Sequence, residues 1–234
     1  MRRIAFLLLF LLACTPQGGP GHGSGAREFD QFAREVFAPI YPLLAQQILE
    51  DTGISEGHCL DIGSGGGYLG IEIARMSGMK VVLGDIDRAA LRIADRNLKE
   101  AGLRRQVSTR YANVQSLPFA DKSFDLVVSR GSFLFWEDKK LAFSEIARVL
   151  KKGGAAYIGG GMGRRMPKEA RSSIKEEMKI RGIGPEGVSK LSPEEMESIL
   201  KEAGIRNFKI LGDGPQDFTC KCGMWVQFDG FERM

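Results

Sequence analysis

The stretch that most narrows the possible folds is LDIGSGGGYLG, residues 60 to 70, where a short apolar run carrying one acid meets five glycines within eight positions. Glycine costs backbone entropy inside a strand or helix, so the cluster marks a turn to which something comes close. The neighbouring segments tell which kind of sheet the turn belongs to. HCLDIG reads as a strand and GYLGIEIARMSG as a helix closed by Gly78. KVVLGDID is a second strand, and DRAALRIADRNLKEAG a helix with Asp87 as its N-cap and Gly102 at its end. QVSTRYAN and SFDLVVSRG are the third and fourth strands, EDKKLAFSEIARVLKKGG is a helix stopped by its glycines, and AAYIGGG is the fifth strand. This alternation implies βαβ units, a parallel sheet and helices on both faces. Ligands of such sheets bind at the carboxyl ends of the strands, near the point where strand order reverses. The glycine cluster comes directly after the first strand.

Beyond GGGMGRRMPKEA the pattern loosens. PKEARSSIKEEMKIRG is a polar helix, and SPEEMESILKEAG a helix with Ser192 as N-cap, Pro193 in the first turn and Gly204 after its end. IRNFKILG and CGMWVQF read as two strands added in antiparallel fashion. The expected architecture is a doubly wound α/β fold, a mostly parallel seven-stranded sheet with an antiparallel last strand.

The N-terminus is different in kind. MRRIAFLLLFLLAC (1–14) has two arginines and then an apolar core of signal-peptide length. Its LLAC resembles the lipobox of bacterial lipoproteins, which implies lipidation at Cys14 and membrane association. A buried N-terminal helix is the competing reading. Residues 15–25 read as a Gly/Pro tether that includes His22, and residues 26–234 as one domain. Within it, residues 27–53 carry apolar positions at helical spacing (Phe29, Phe32, Val36, Phe37, Ile40, Leu43, Leu44, Ile48), interrupted by Pro39 and Pro42. They are expected to cap the domain as two helices or one kinked helix. The net charge of +4 is small and the charges are interleaved, which argues against a nucleic-acid face. Cys59 reads as a buried strand residue. Cys220 and Cys222 would share one strand face, either as ordinary thiols or as a soft pair presenting a thiophilic acceptor such as a metalloid. No metal site is expected.

GGGYLG satisfies G-x-G-x-x-G between a strand and a helix, and Asp85 ends the next strand. That permits an NAD(P)-dependent oxidoreductase. Two details point elsewhere. Asp61 stands two residues before Gly63, where a carboxylate would repel a pyrophosphate but suit a cationic cofactor, and no Lys or Arg opens the next helix.

Five ordered blocks between residues 56 and 162 resemble the class I S-adenosylmethionine-dependent methyltransferases, in particular those acting on small molecules and quinones. The blocks are CLDIGSGGGYLGIEIAR, VVLGDID, the third and fourth together in YANVQSLPFADKSFDLVVSRGSFLFWED, and EIARVLKKGGAAYIGG. The resemblance implies S-adenosylmethionine as cofactor and a small-molecule acceptor. It places Asp61, Gly63, Ser64, Gly65 and Gly67 along the methionine and ribose, and Asp85 on the ribose hydroxyls. Ile86 would pack on the adenine, with Asn113, in place of the more usual aspartate, and the Val114 N–H at its edge. Ser129 and Arg130 would lie near the methyl group and the acceptor. No histidine or carboxylate stands out as a base beside them. Ser132, Phe133, Phe135 and Trp136 read as wall, and the acceptor is expected to be nucleophilic already or to bring its charge to Arg130. Arg164 and Arg165 are either a solvated loop pair or contacts for an anion. His58 lies at the opposite sheet edge. A non-catalytic, membrane-anchored binding module on the same scaffold is the second class of function, and a cytoplasmic catalytic domain the alternative location.

Overall fold

The computed structural model describes residues 23–182, 191–213 and 223–230. The signal-like segment with Cys14, the tether up to His22, and Cys220 with Cys222 lie outside these residues. The described chain begins with helix α1 (Gly23–Phe32), a π-helical turn (Ala33–Phe37) and helix α2 (Ile40–Thr52). Helix α1 therefore starts inside the expected tether, which is a correction: Asp30 and Phe32 dock on the domain, and the helix runs back from them. The two prolines do separate two helices. Pro39 is the N-cap of α2 and Pro42 lies in its first turn, where a missing N–H leaves nothing unpaired.

The alternating part comprises β1 (His58–Ile62), α3 (Tyr68–Met76), β2 (Lys80–Asp85), α4 (Arg88–Ala101), β3 (Val107–Tyr111), β4 (Phe124–Arg130), α5 (Lys139–Val149) and β5 (Leu150–Gly160). After it come α6 (Lys168–Ile180), α7 (Pro193–Glu202), β6 (Phe208–Gly212) and β7 (Met224–Asp229). The sheet order is β3-β2-β1-β4-β5-β7-β6, with β7 antiparallel to both of its neighbours. Strand β1 pairs in parallel with β2 on one side and β4 on the other, so the order reverses at β1.

Local signals account for most boundaries. The Asp87 side chain accepts from Ala89 N at the start of α4, and Gly102 ends that helix at φ 70°. Ser192 and Glu195 form a reciprocal capping box at α7, with Pro193 in its first turn. Two expected stops are corrected. Helix α3 ends at Met76 on an extended Ser77, one residue before Gly78. Helix α5 ends at Val149, ahead of its glycines, because Leu150 already pairs with Phe124 in the sheet. Gly153 and Gly154 fall in the register shift between β4 and β5 instead. A Cβ on Gly154 would come within 2.7 Å of the Asp125 carbonyl oxygen.

Side-chain alternation along β4 divides the core. Leu126 and Val128 join Phe37, Leu44, Ile73 and Tyr157 on the face under the cap helices. Val127 joins Leu60, Ile62, Phe143 and Leu200 on the face under α5 and α7. Cys59 is buried in β1, as its apolar neighbours imply. Both faces being closed, the carboxyl edge at the β1 switch is where a ligand can enter.

Candidate cofactor site

The loop from Gly63 to Gly67 folds over the end of β2. Gly63 N and Ser64 N both donate to Gly84 O, at 2.8 and 3.0 Å, and Gly67 N donates to Ser64 O at 2.8 Å. Glycine is required at Gly63 and Gly67 for two reasons each. Both have positive φ, and an added Cβ would lie 2.2 Å from Ser132 Cβ at the first and 2.4 Å from Leu83 Cδ1 at the second. At Gly65, also at positive φ, a Cβ would meet only the ring of the half-exposed Phe29, at 3.8 Å, so one cap side chain is all that stands over this backbone.

Two carboxylates hold the loop. Asp85 Oδ2 accepts from Gly65 N and Oδ1 from Asp87 N, both at 2.8 Å. Burial raises its pKa, against the opposing pull of these N–H groups. Asp61 is 2% exposed, with Oδ2 accepting from Gly70 N at 2.9 Å. Burial foremost, with the charge of Asp85 adding, pushes its carboxyl up to about 7. A buried acid of this kind is relieved by a cation placed beside it. Ser64 Oγ is buried without a hydrogen-bond partner. An orphaned hydroxyl, an open glycine backbone and two acids that burial leaves short of counter-charge fit a cationic nucleoside.

Ile86 is 51% exposed at the end of β2, so it is a surface available to a flat ring and not core. Asn113 holds a turn, its Oδ1 accepting from Gln115 N at 2.9 Å, and the Val114 side chain is buried beside it. Ser129 departs from expectation. It is fully buried, and its Oγ lies 2.6 Å from Ser132 Oγ, which reaches Ile62 O at 3.2 Å. This chain ties β4 to β1 under the glycine loop, and Ser129 presents no hydroxyl to an acceptor. The reason is strand alternation, which turns Ser129 away from the cap and Arg130 toward it. Arg130 donates from Nε to Gly161 O at 3.0 Å, with its guanidinium carbon 4.3 Å from the Phe37 ring centroid and 5.4 Å from that of Tyr41.

The cap supplies residues that sequence reasoning missed. Asp30 on α1 accepts from the Tyr68 hydroxyl, from Arg96 on α4 at 2.9 Å and from Arg34 at 3.2 Å. Arg34 also bonds Asn97, whose Nδ2 donates to Gly66 O at 2.8 Å. Tyr41 stacks on Tyr68 with centroids 5.1 Å apart. The cap is thus fastened to the glycine loop by a polar network. Phe29, expected in the apolar stripe, is 46% exposed and stands over Gly65. One signal was available: Asp30 is an acid set between Phe29 and Phe32.

At the other end of the cap, Arg164 pairs with Asp51 and Arg165 with Glu50, so both arginines clamp the loop after β5 to α2. Asp213 fastens the same loop, accepting from Met162 N at 2.8 Å, Gly163 N at 2.9 Å and Trp225 Nε1 at 2.8 Å, with Arg171 3.2 Å away. Phe133 and Trp136 are buried in the core with Phe143, whereas Phe135 is 62% exposed. His58 is exposed at the far edge, next to Asp125.

A model of the methyltransferase domain matches residues 60–158. A methyltransferase of Streptomyces halstedii, GfsG, is 34% identical over 116 residues, 49% of this chain and 42% of that protein. The ubiquinone/menaquinone biosynthesis C-methyltransferase UbiE of a Marinomonas species is 31% identical over 138 residues, 58% of this chain and 55% of its own length. The chain spans about half the length of these curated relatives. One solved structure matches throughout: a putative S-adenosyl-L-methionine-dependent methyltransferase from Methanococcus maripaludis, 34% identical with a TM-score of 0.81, over 94% of this chain and 98% of that one. With this likeness along nearly the whole chain, the protein belongs to the S-adenosyl-L-methionine-dependent methyltransferases.

Proposed function

We propose that the protein transfers a methyl group from S-adenosylmethionine to a small-molecule acceptor by in-line displacement, in the space between the cap helices and the carboxyl ends of β1, β4 and β5. The observation that carries this reading is the pairing of an open glycine loop with the buried acids Asp61 and Asp85, a donor set suited to a cation and poor for a pyrophosphate. The cofactor, when bound, supplies a methyl group already activated on a sulfonium. What the chain contributes is placement. Asp85 and the loop fix the ribose end, Ile86 offers a face to the adenine, and Asp61 balances positive charge. Helices α1 and α2 exclude water above them, so that donor and acceptor meet in line in a dry pocket.

No base is needed for an acceptor that is already a nucleophile, and none of these placements assigns one. Ser129 is not part of this proposal, being closed into its contact with Ser132. Calorimetric titration with S-adenosylhomocysteine and with NADH tests the reading. Micromolar binding of the former and none of the latter is expected. Preference for NADH would return the site to a dinucleotide, and product binding without turnover on any acceptor mixture would favour a binding module.

A further inference from the structure

The arginines around the cap are nearly all matched by acids. Arg34 and Arg96 meet Asp30, Arg164 meets Asp51, Arg165 meets Glu50, Arg171 meets Asp213, and Arg181 meets Glu35 and Glu177. Among the described residues of this region Arg27 and Arg130 have no acid against them, and Arg130, unlike Arg27, is withdrawn from the surface. Its surroundings are one carbonyl oxygen, the faces of Phe37 and Tyr41, and the Tyr41 hydroxyl. Asp213 acts on it only from a distance and is itself filled by two backbone N–H groups, the Trp225 indole and Arg171. A cation drawn out of water with no carboxylate against it is costly, and an incoming anion would remove that cost.

The sheet order says which anion. Along the carboxyl edge, the adenine contacts follow β3, the ribose acid ends β2, the glycine loop leaves β1, and Arg130 ends β4. Strands are spaced about 4.8 Å apart, so β4 lies roughly 10 Å from the ribose acid. With the ribose at Asp85 and the positive charge at Asp61 on β1, the amino-acid tail of a bound cofactor would run toward the end of β4. Asp61 on β1 is the acid on that path and Arg130 the cation at its end. The register pairs Asp61 with Val128, and Arg130 stands two residues further along β4 on the same face. The guanidinium lies over the Phe37 and Tyr41 rings, and arginine is suited to meet a carboxylate through two parallel hydrogen bonds.

We infer that Arg130 is the receptor for the α-carboxylate of the cofactor, and that it makes the site selective for sulfonium nucleosides that retain the amino-acid group. This rests on the proposed use of S-adenosylmethionine, and it assigns Arg130 to the donor rather than to the acceptor.

The test compares S-adenosylhomocysteine with its decarboxylated analogue, S-adenosyl-3-thiopropylamine, which keeps the ammonium and lacks only the carboxylate. The unaltered protein should bind the analogue about thirtyfold more weakly, as expected for losing a charge-assisted pair. Arg130→Gln should weaken the homocysteine ligand by a similar factor and leave the analogue within about threefold of its wild-type affinity, while Arg130→Lys restores part of the difference. Equal affinity of the unaltered protein for both ligands overturns the inference without any variant being made. A variant that still discriminates between them, or that binds both more weakly by the same factor, overturns it as well. Failure of the unaltered protein to bind S-adenosylhomocysteine at all would instead overturn the proposed function.

Discussion

The two sides of the carboxyl edge are built in different ways. On the β1–β2 side the loop is shaped by its own backbone: glycines at alternate positions, two carbonyl contacts to Gly84, and two acids satisfied by main-chain N–H groups. On the β4–β5 side the loop from Gly161 to Met166 is shaped by side chains reaching in from elsewhere, chiefly Asp213, Gln47, Asp51 and Arg171. A backbone-built loop can hold one cofactor geometry across many proteins. One built from long-range pairs can change with its partners, which is what a family with varied acceptors needs. The difference assigns stiffness to the β1–β2 side and adjustability to the β4–β5 side.

Breaking the backbone-built side should have the largest effect. Gly63→Ala places a Cβ at positive φ and within 2.2 Å of Ser132 Cβ. Strain and overpacking together predict a loss of about 2–4 kcal/mol of stability, read as a shifted denaturation midpoint. A midpoint unchanged from wild type would show the loop to be softer than its geometry implies. Asp85→Ala comes next. Removing a carboxylate that fixes Gly65 and would accept from ribose hydroxyls should weaken S-adenosylhomocysteine by about 2 kcal/mol. Calorimetry on the folded variant checks this, and unchanged affinity would reduce Asp85 to a brace for the loop.

The same division explains what is legible in the sequence. Strand–helix alternation, the caps at Asp87 and Ser192 and the glycine spacing are local, so they stand in the sequence as they stand in the fold. Asp30 with Tyr68, Arg164 with Asp51 and Asp213 with Gly163 join residues far apart in the chain, and no spacing rule announces them. Ser129 shows a second limit. Its position at the end of β4 suits the acceptor side, but the pleat turns it into the contact with Ser132. The stop of α5 differs from expectation for a related reason, since sheet pairing at Leu150 overrides the glycine signal beyond it.

A third, smaller effect sharpens the comparison through pH. The Asp61 carboxyl is held at about 7, above its ordinary 3.8, by burial first and by Asp85 second. A raised carboxyl favours the protonated fold, so this contribution to stability is complete below about pH 4 and is lost as pH rises toward 7. Asp85, also raised, acts in the same direction. A cationic ligand reverses the preference, because it favours the ionised acid. Cofactor affinity should therefore fall about tenfold, or 1.4 kcal/mol, for each pH unit below 7, and Asp61→Asn should flatten that slope. The Asn oxygen can still accept from Gly70 N, which keeps the loop in place. A wild-type affinity constant from pH 5.5 to 8 would mean that Asp61 does not change ionisation when the ligand binds.

The smallest effects belong to the arginine clamps of the adjustable side, and they differ from each other. Arg164 meets both oxygens of Asp51, a half-buried acid that also accepts from the Tyr157 hydroxyl at 3.2 Å. Its side chain is 40% exposed, so solvent screens the pair and Arg164→Ala should cost no more than about 1 kcal/mol. Arg165 meets Glu50 through one nitrogen, and both side chains are at least a third exposed. Arg165→Ala should leave the melting temperature where it is. Neither arginine is offered to a ligand, since each already has its acid on α2. Turnover with any acceptor should then be nearly unchanged in Arg165→Ala, and lowered in Arg164→Ala only as far as the loop after β5 loosens. A selective loss of activity toward anionic acceptors in Arg165→Ala would break the comparison at its weakest point. It would mean that the pair with Glu50 opens to admit substrate, and that the acceptor side reads charge as well as shape.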